Sequence, residues 1–427
     1  MTRRPIEAMQ NGGSARVFPF IRSNARFLGF GFLMAFVSSG GQTYLIGVFG
    51  PEIQSAFGLS HTQWGSCYMV GTLTSSLLLL WSGKLIDSTD LRIYTVLVVF
   101  GMAAACLAMS LTGSVAGVIF SIFLLRHFGQ GLSSHTSVTS MARYFGPNRG
   151  KAIALSSMGF SFGEGVLPVL VVIAIALLGW RQSYLAVGLA TVMLLPVLLV
   201  LLAGHGKRHR EYLGETDSRA RQPGESGDKV HKTRKQVLRE LRFWLIMFGT
   251  LSASLILTAM FFHHLNLADA KDWSGTWVTG NYSVYAVATV ITSFAAGPLV
   301  DRLTAVRVMP LFMLPLAVGF GSLVYGVSPY WVLPYMLLMG VTTGLYYTGT
   351  PALLTELYGT RYLGAIKSMV GSLGVFATAL GPVLVGTLLD TGFSMDDICL
   401  VFALMCLVST VLMICALHPG MLIRRHG

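Results

Sequence analysis

Gly83-Lys84-Leu85-Ile86-Asp87 and Gly297-Pro298-Leu299-Val300-Asp301 stand 214 positions apart in a chain of 427 residues, and that offset decides the fold. Pro168 and Pro382 keep the same offset. Between these landmarks, Leu124-Leu125-Arg126-His127-Phe128-Gly129-Gln130-Gly131-Leu132 lines up with Leu337-Leu338-Met339-Gly340-Val341-Thr342-Thr343-Gly344-Leu345. Tyr144-Phe145-Gly146 likewise lines up with Leu357-Tyr358-Gly359. A period of half the chain is too long for a solenoid or a propeller, so it reads as one duplicated domain.

Composition says where the duplicated chain lives. Residues are 53% hydrophobic and only 11% charged, with a mean hydropathy of +0.66, whereas a soluble domain carries roughly 25% charge. Crossing a hydrocarbon core of about 30 Å takes about 20 apolar residues. Runs of that length fall near 27–50, 64–83, 92–112, 115–142, 151–178 and 181–203, then near 241–263, 275–299, 306–327, 330–354, 364–389 and 395–417. Each is a continuous apolar run and not a ten-residue alternation, so the expectation is an all-α membrane protein with twelve transmembrane helices in two six-helix halves. The expected division is a tail at 1–26, halves at 27–203 and 241–417, a linker at 204–240 and a tail at 418–427.

Of the 30 lysines and arginines, 26 fall on one side of these spans, including Arg3, Arg4, Arg16, the linker charges and Arg424-Arg425. The positive-inside rule puts that side, with both termini, in the cytoplasm. The net charge of +12 is thereby a topology signal and not a nucleic-acid signal. The opposite face carries Glu52, Asp269, Asp272, Asp390, Asp396 and Asp397. Residues 1–25 are polar and Arg-bearing and do not read as a cleavable signal, so the first span is expected to target the chain to the cytoplasmic membrane. The linker, with mixed charge and few apolar residues, reads as disordered or lying on lipid headgroups. The five cysteines form no Cys-x-x-Cys pair and read as packing residues, with no metal or other cofactor expected.

Gly83-Lys84-Leu85-Ile86-Asp87 followed by Arg92 resembles the loop 2–3 signature of the major facilitator superfamily, Gly-x-x-x-Asp-Arg-x-Gly-x-Arg. Gly297-Pro298-Leu299-Val300-Asp301-Arg302 with Arg307 resembles its degenerate second copy. The resemblance spans the chain and implies the major facilitator fold and secondary transport. It also implies a conformational-gating role for Asp87 and Asp301 with their neighbours Gly83, Arg92, Gly297 and Arg302. Ser88 stands where the pattern has an arginine. Arg126-His127-Phe128-Gly129-Gln130-Gly131 resembles the helix 4 signature of proton-coupled members. Segments around Arg143-Tyr144-Phe145, Gly179-Trp180-Arg181 and Leu363-Gly364-Ala365-Ile366-Lys367 resemble the monocarboxylate-porter and oxalate/formate-exchanger branch. That branch implies a substrate carboxylate held by the helix 11 base, Lys367, although 275–299 carries no charge.

Ionisable residues within spans are expensive and therefore candidates for function. Glu164 lies about 20 Å along helix 5 from Lys151, and Arg126 lies about 16 Å into helix 4 from the outer side. They read either as lining a transport path or as a buried ion pair that fixes packing. Lys367 reads as a substrate contact or as a snorkelling side chain. His263 and His264 close the apolar run of helix 7 and read as an external proton sensor or as wet helix-end residues. Gln42, Tyr44, Tyr68, Asn281, Tyr282, Tyr346 and Tyr347 read as solute-orienting groups or as helix contacts. Gly159 with Gly163, and Gly340 with Gly344, are spaced for close helix approach.

The function expected is a secondary transporter, not an enzyme, that moves a small organic anion such as a monocarboxylate with protons, as a lipid-embedded monomer. A drug or metabolite exporter of the same superfamily is the alternative within the class. A transport-dead sensor or an intramembrane enzyme is the alternative outside it, and the sequence has no Gly-x-x-x-x-Gly-Lys-Ser/Thr loop or His-Glu-x-x-His motif to favour enzyme chemistry.

Overall fold

Helix starts in this chain are written as short polar residues before apolar runs. Ser60, Asp90, Ser114, Ser274 and Ser394 each accept a hydrogen bond from a backbone N–H in the first turn that follows, supplying a partner that the helix itself cannot. Ser60 with Gln63, and Ser394 with Asp397, close the reciprocal arrangement. In the computed structural model, which describes residues 17–206, 208–209, 232–359 and 362–418, these caps separate the transmembrane helices. The two tails beyond those limits and most of the expected linker lie outside the described residues.

The helices are α1 (Pro19–Val48), α2 (His61–Ser88), α3 (Leu91–Leu111), α4 (Val115–Tyr144), α5 (Arg149–Leu178) and α6 (Trp180–Leu201). The second half has α7 (Leu241–Ala270), α8 (Gly275–Leu303) and α9 (Ala305–Tyr325), then α10 (Val332–Tyr358), α11 (Leu363–Asp390) and α12 (Met395–Leu417). Among the described residues, eleven helices are long and apolar enough to cross a membrane. The other, α10, has 27 residues, about 40 Å at 1.5 Å per residue; Thr342, Thr343, Tyr346, Tyr347 and Thr348 make it more polar. The chain is therefore an all-α membrane protein of the expected two-half design.

Several spans depart from the continuous helices expected: α6 is interrupted at Leu194, α8 at Asn281 and α9 by a 3₁₀ turn over Met309–Leu311, and two further departures, in α1 and α4, meet in space. α1 breaks: an α-helix over Val17–Val37 gives way to a 3₁₀ turn over Ser38–Gly41, Gln42 is extended, and helix resumes at Thr43–Val48. α4 carries a wide π-turn over Leu125–Ser133. The two irregular segments face each other. A methyl group on Gly41 would lie 2.7 Å from the Gln130 nitrogen and 2.8 Å from the Gly129 Cα, so backbone meets backbone with no room for a side chain. The four spaced glycines behave as expected, Gly159 and Gly163 abutting α1 and Gly340 and Gly344 abutting α8.

The halves meet tightly at the acidic end. Asp390 of α11 accepts hydrogen bonds from the His61 and Thr62 backbone at 3.1 and 2.8 Å, capping α2 from the other half. A methyl on Gly65 of α2 would lie 2.7 Å from the Pro382 carbonyl oxygen of α11, and one on Gly47 of α1 would lie 2.7 Å from the Phe261 carbonyl oxygen of α7. One on Gly165 of α5 would lie 3.3 Å from the Ser283 Cα of α8. At the basic end, by contrast, the signature carboxylates stay within their own halves. Asp87 forms an ion pair with Arg143 of α4, and Arg143 also donates to the Ile86 carbonyl at 3.1 Å. The expected partner Arg92 turns away, donating to the Leu202 carbonyl at 3.4 Å. Gly83 accepts at its carbonyl from the His135 ring at 3.1 Å. In the second half, Glu356 caps α9 through the Ala305 and Val306 N–H groups at 2.9 and 3.2 Å. Asp301 and Arg302 make no side-chain hydrogen bond or ion pair among the described residues.

Candidate functional site

On the basic side of these closures lies a cavity of about 730 Å³ between the two halves. Its wall on α5 runs from Glu164 through Ser161, Ser157 and Ala154; the last is only five residues from the helix start at Arg149. The cavity thus extends from mid-membrane depth toward the basic end. Residues 157, 161 and 164 recur at helical spacing, which puts two hydroxyls and a carboxyl on one face of an otherwise apolar helix. α8 repeats the pattern with Tyr285, Thr289 and Ser293. The expected residues Gln42, Tyr44 and Tyr347 line the cavity too, with Thr43, Gln130, Ser134, Thr258, Phe261 and Thr378 among the further polar and aromatic groups.

Arg126 is 1% exposed yet lines this space. Its Nη1 donates to the Gly41 carbonyl at 3.1 Å and to Thr43 Oγ1 at 3.4 Å. Its guanidinium lies 5.1 Å from the Tyr68 ring centroid, and Tyr68 shares a hydrogen bond with Thr43 at 2.5 Å. The π-turn of α4 and the break of α1 are therefore one construction: unwinding frees the Gly41 carbonyl, and a cation from α4 satisfies it. Backbone polar groups are tolerated at membrane depth only when paired in this way or facing a cavity. Arg126 Nε and Ser134 Oγ are buried with no hydrogen-bond partner among the described residues.

Glu164 is half-buried and forms no ion pair with Arg126; the ion pairs among the described residues lie elsewhere, at Asp87, Glu240 and Asp396. The two groups share one cavity and grip the same break, since Gly163, next to Glu164, packs on Ser39. Tyr44, Tyr282, Tyr285 and Tyr347 lie within electrostatic reach of the Glu164 carboxyl.

Other expected site residues sit apart from the cavity. Lys367 stands exposed one turn into α11, outside the lining. Tyr346 shares a hydrogen bond with Ser254 at 2.8 Å, and Asn281 donates to the Trp277 carbonyl at 2.8 Å; both are helix contacts. His263 and His264 do not end their helix in water: α7 continues to Ala270, and both rings are at most 1% exposed. His263 bonds the Pro382 carbonyl at 3.0 Å, inside the closed seam. His264 is held between the hydroxyls of Tyr282 and Tyr335 at 2.8 and 2.9 Å. Apolar neighbours in sequence hid these polar partners, which come from helices 18 to 119 residues away. The signal for the missed residues Thr43 and Gln130 was Ser38-Ser39-Gly40-Gly41, a helix-breaking run inside an apolar span.

Solved transporters share this architecture. A bacterial homolog of the human lysosomal transporter Spinster aligns over 95% of this chain and 98% of its own, with a TM-score of 0.68 at 13% identity. The nucleoside transporter NupG aligns over 91% and 99%, with a TM-score of 0.69 at 11% identity. The Escherichia coli xylose transporter XylE aligns over 93% and 95%, with a TM-score of 0.63 at 15% identity. At such identities the likeness concerns the fold. In sequence, human monocarboxylate transporter 6 is 30% identical over 151 residues, which span 34% of this chain and only 28% of the human protein. The sequence profile of the Major Facilitator Superfamily matches residues 31–281 and 273–421. With that match over both halves, and twelve long helices among the described residues around a cavity between the halves, the chain belongs to the Major Facilitator Superfamily.

Proposed function

We propose that this transporter carries a small organic anion with one carboxylate, together with a proton, across the cytoplasmic membrane by alternating access. The observation that carries the reading is the charge inventory of the cavity among the described residues: one cation, Arg126, and one acid, Glu164, amid hydroxyls, amides and aromatic rings. With Glu164 ionised the empty cavity is neutral. With Glu164 protonated, Arg126 stands alone, and a bound monoanion restores neutrality. Net charge is costly in a space of low dielectric, so the two inexpensive states are empty with Glu164 ionised and loaded with Glu164 protonated. A second carboxylate on the solute would leave the loaded state negative, which favours a monocarboxylate. The partial likeness to a human monocarboxylate transporter supports the same class.

Uptake of labelled monocarboxylates into proteoliposomes tests this. Arg126→Gln should weaken anion binding by about 1.5–3 kcal/mol, the range for a charged hydrogen bond, or roughly 10- to 150-fold. Lys367→Ala should leave affinity unchanged, because Lys367 is outside the lining. Selection of a cation, or an unaltered Kd in Arg126→Gln, would overturn the assignment.

The orientation proposed puts the basic end and both termini in the cytoplasm, so that the cavity faces inward and the seam at Asp390 is the external closure. Labelling of single cysteines in intact cells with an impermeant maleimide, in a Cys415→Ser background, checks it. Ser394→Cys should react and Ser88→Cys should not; the reverse pattern would invert the topology.

A further inference from the structure

At the basic end, away from the transport cavity, the first turns of α1 and the residues at and beyond the end of α6 line a second polar space of about 240 Å³. Arg22 and Arg26 of α1 and Arg208, beyond the end of α6, supply its positive charge, with Ser23 and Asn24 beside them. The Arg208 guanidinium is held over the rings of Phe27 and Phe145, 4.6 and 5.1 Å from their centroids. His205 stacks on Phe27, and burial pushes its pKa down to about 4, so His205 adds no charge to the site near neutral pH.

Some of this charge also holds the fold together, since Arg26 Nη2 donates to the Val200 carbonyl at 2.7 Å and Arg92 Nη2 to the Leu202 carbonyl at 3.4 Å, both at the C-terminal end of α6. A guanidinium has five N–H groups, so each of these two retains further donors. Among the described residues neither lining contains a carboxylate. Asp90, within electrostatic reach of His205, caps α3 by accepting from the Arg92 N–H at 2.8 Å.

Next to this space runs an apolar groove of about 520 Å³ between α3 and α6, walled by Ile93, Val96, Leu97 and Leu199, with Arg92 at its mouth. Ala203 lines both spaces and joins them. Ile93 and Leu97 are each 58% exposed, as lipid-facing side chains are. A polar, cationic chamber at helix-end depth that continues into an apolar, lipid-facing groove matches one kind of molecule.

We propose that this is a binding site for an anionic phospholipid, with the headgroup phosphodiester among Arg22, Arg26 and Arg208 and one acyl chain along the α3–α6 groove. A zwitterionic headgroup would bring its ammonium among arginines and lose the Coulomb gain.

The test is binding of phosphatidylglycerol, phosphatidylcholine and inorganic phosphate to the full-length purified protein, read by native mass spectrometry and by thermal shift. Phosphatidylglycerol should bind at least tenfold more tightly than phosphatidylcholine. The double variant Arg22→Gln, Arg208→Gln spares the two α6 caps and should lower phosphatidylglycerol affinity about 30-fold, as expected for two headgroup-level charges. Val96→Trp should fill the groove and weaken the lipid at least tenfold with all charges in place, and it serves if the double variant elutes as aggregate. Equal binding of the two lipids overturns the proposal. Stabilisation by inorganic phosphate that survives Val96→Trp, with lipid affinity unchanged by that variant, overturns it in favour of a free-phosphate site.

Discussion

Glu164→Gln is expected to abolish uphill accumulation of substrate while leaving the exchange of labelled for unlabelled substrate largely intact. The glutamine mimics the protonated acid: it keeps the shape and the loaded-state charge of the cavity and removes the ability to alternate between charged and neutral forms. In the proposed cycle, return of the empty carrier requires Glu164 to lose its proton, because otherwise Arg126 must cross without a counter-charge. Exchange needs only the loaded form to reorient and should persist. For one proton per anion, a difference of one pH unit supports about a tenfold concentration ratio at equilibrium. The wild-type protein should approach that value in proteoliposomes, and the variant should stay near unity. If Glu164→Gln still concentrates substrate under an imposed pH gradient, the coupling proton resides elsewhere and Glu164 only shapes the cavity. His263 and His264 are then poor substitutes, since neither ring reaches the cavity.

The second large effect is expected at the closed seam. Gly65→Leu should drive the transporter out of the conformation closed at the acidic end, because the new side chain must occupy space now filled by the Pro382 carbonyl and the Val383 nitrogen, 2.7 and 2.8 Å from the methyl position. Neither is the end of a flexible side chain, so the strain is relieved only by separating α2 from α11. Overpacking of this kind costs about 1–3 kcal/mol, which shifts a two-state population by roughly 5- to 150-fold. In the opposite conformation the seam is parted and the leucine is tolerated. Spin labels at Ser55 and Phe393, on opposite halves at the closed end, should report a longer distance in Gly65→Leu, with transport slowed and the protein still monodisperse. An unchanged distance together with unchanged transport would mean that this seam does not move.

Residue type and spacing settled a great deal. The 214-residue offset, the twelve apolar runs and the paired Gly-x-x-x-Asp loops led to two six-helix halves, because membrane helices satisfy their own backbone and are selected for length and apolarity, which are local properties. Glu164 and Arg126 were legible as candidates for the same reason: charge at midplane depth is expensive whatever surrounds it. The stripes Ser157, Ser161, Glu164 and Tyr285, Thr289, Ser293 were present in the sequence too, but helical spacing alone does not say whether such a stripe faces a cavity or a neighbouring helix.

Tertiary structure decided what depends on partners distant in the chain. Arg126 is neither ion-paired nor free because the α1 break places the Gly41 carbonyl beside it, 85 residues away. Asp87 chose Arg143 over Arg92 because α4 brings that guanidinium to the loop, whereas Arg92 lies beside the α6 carbonyls. Lys367, equal to Arg126 in charge and also within a span, fell outside the cavity, and His263 and His264 fell into the core. A sequence states what each residue would cost to bury; only the packing of the helices states which partner meets that cost, and so which of several equally expensive residues faces the transport path.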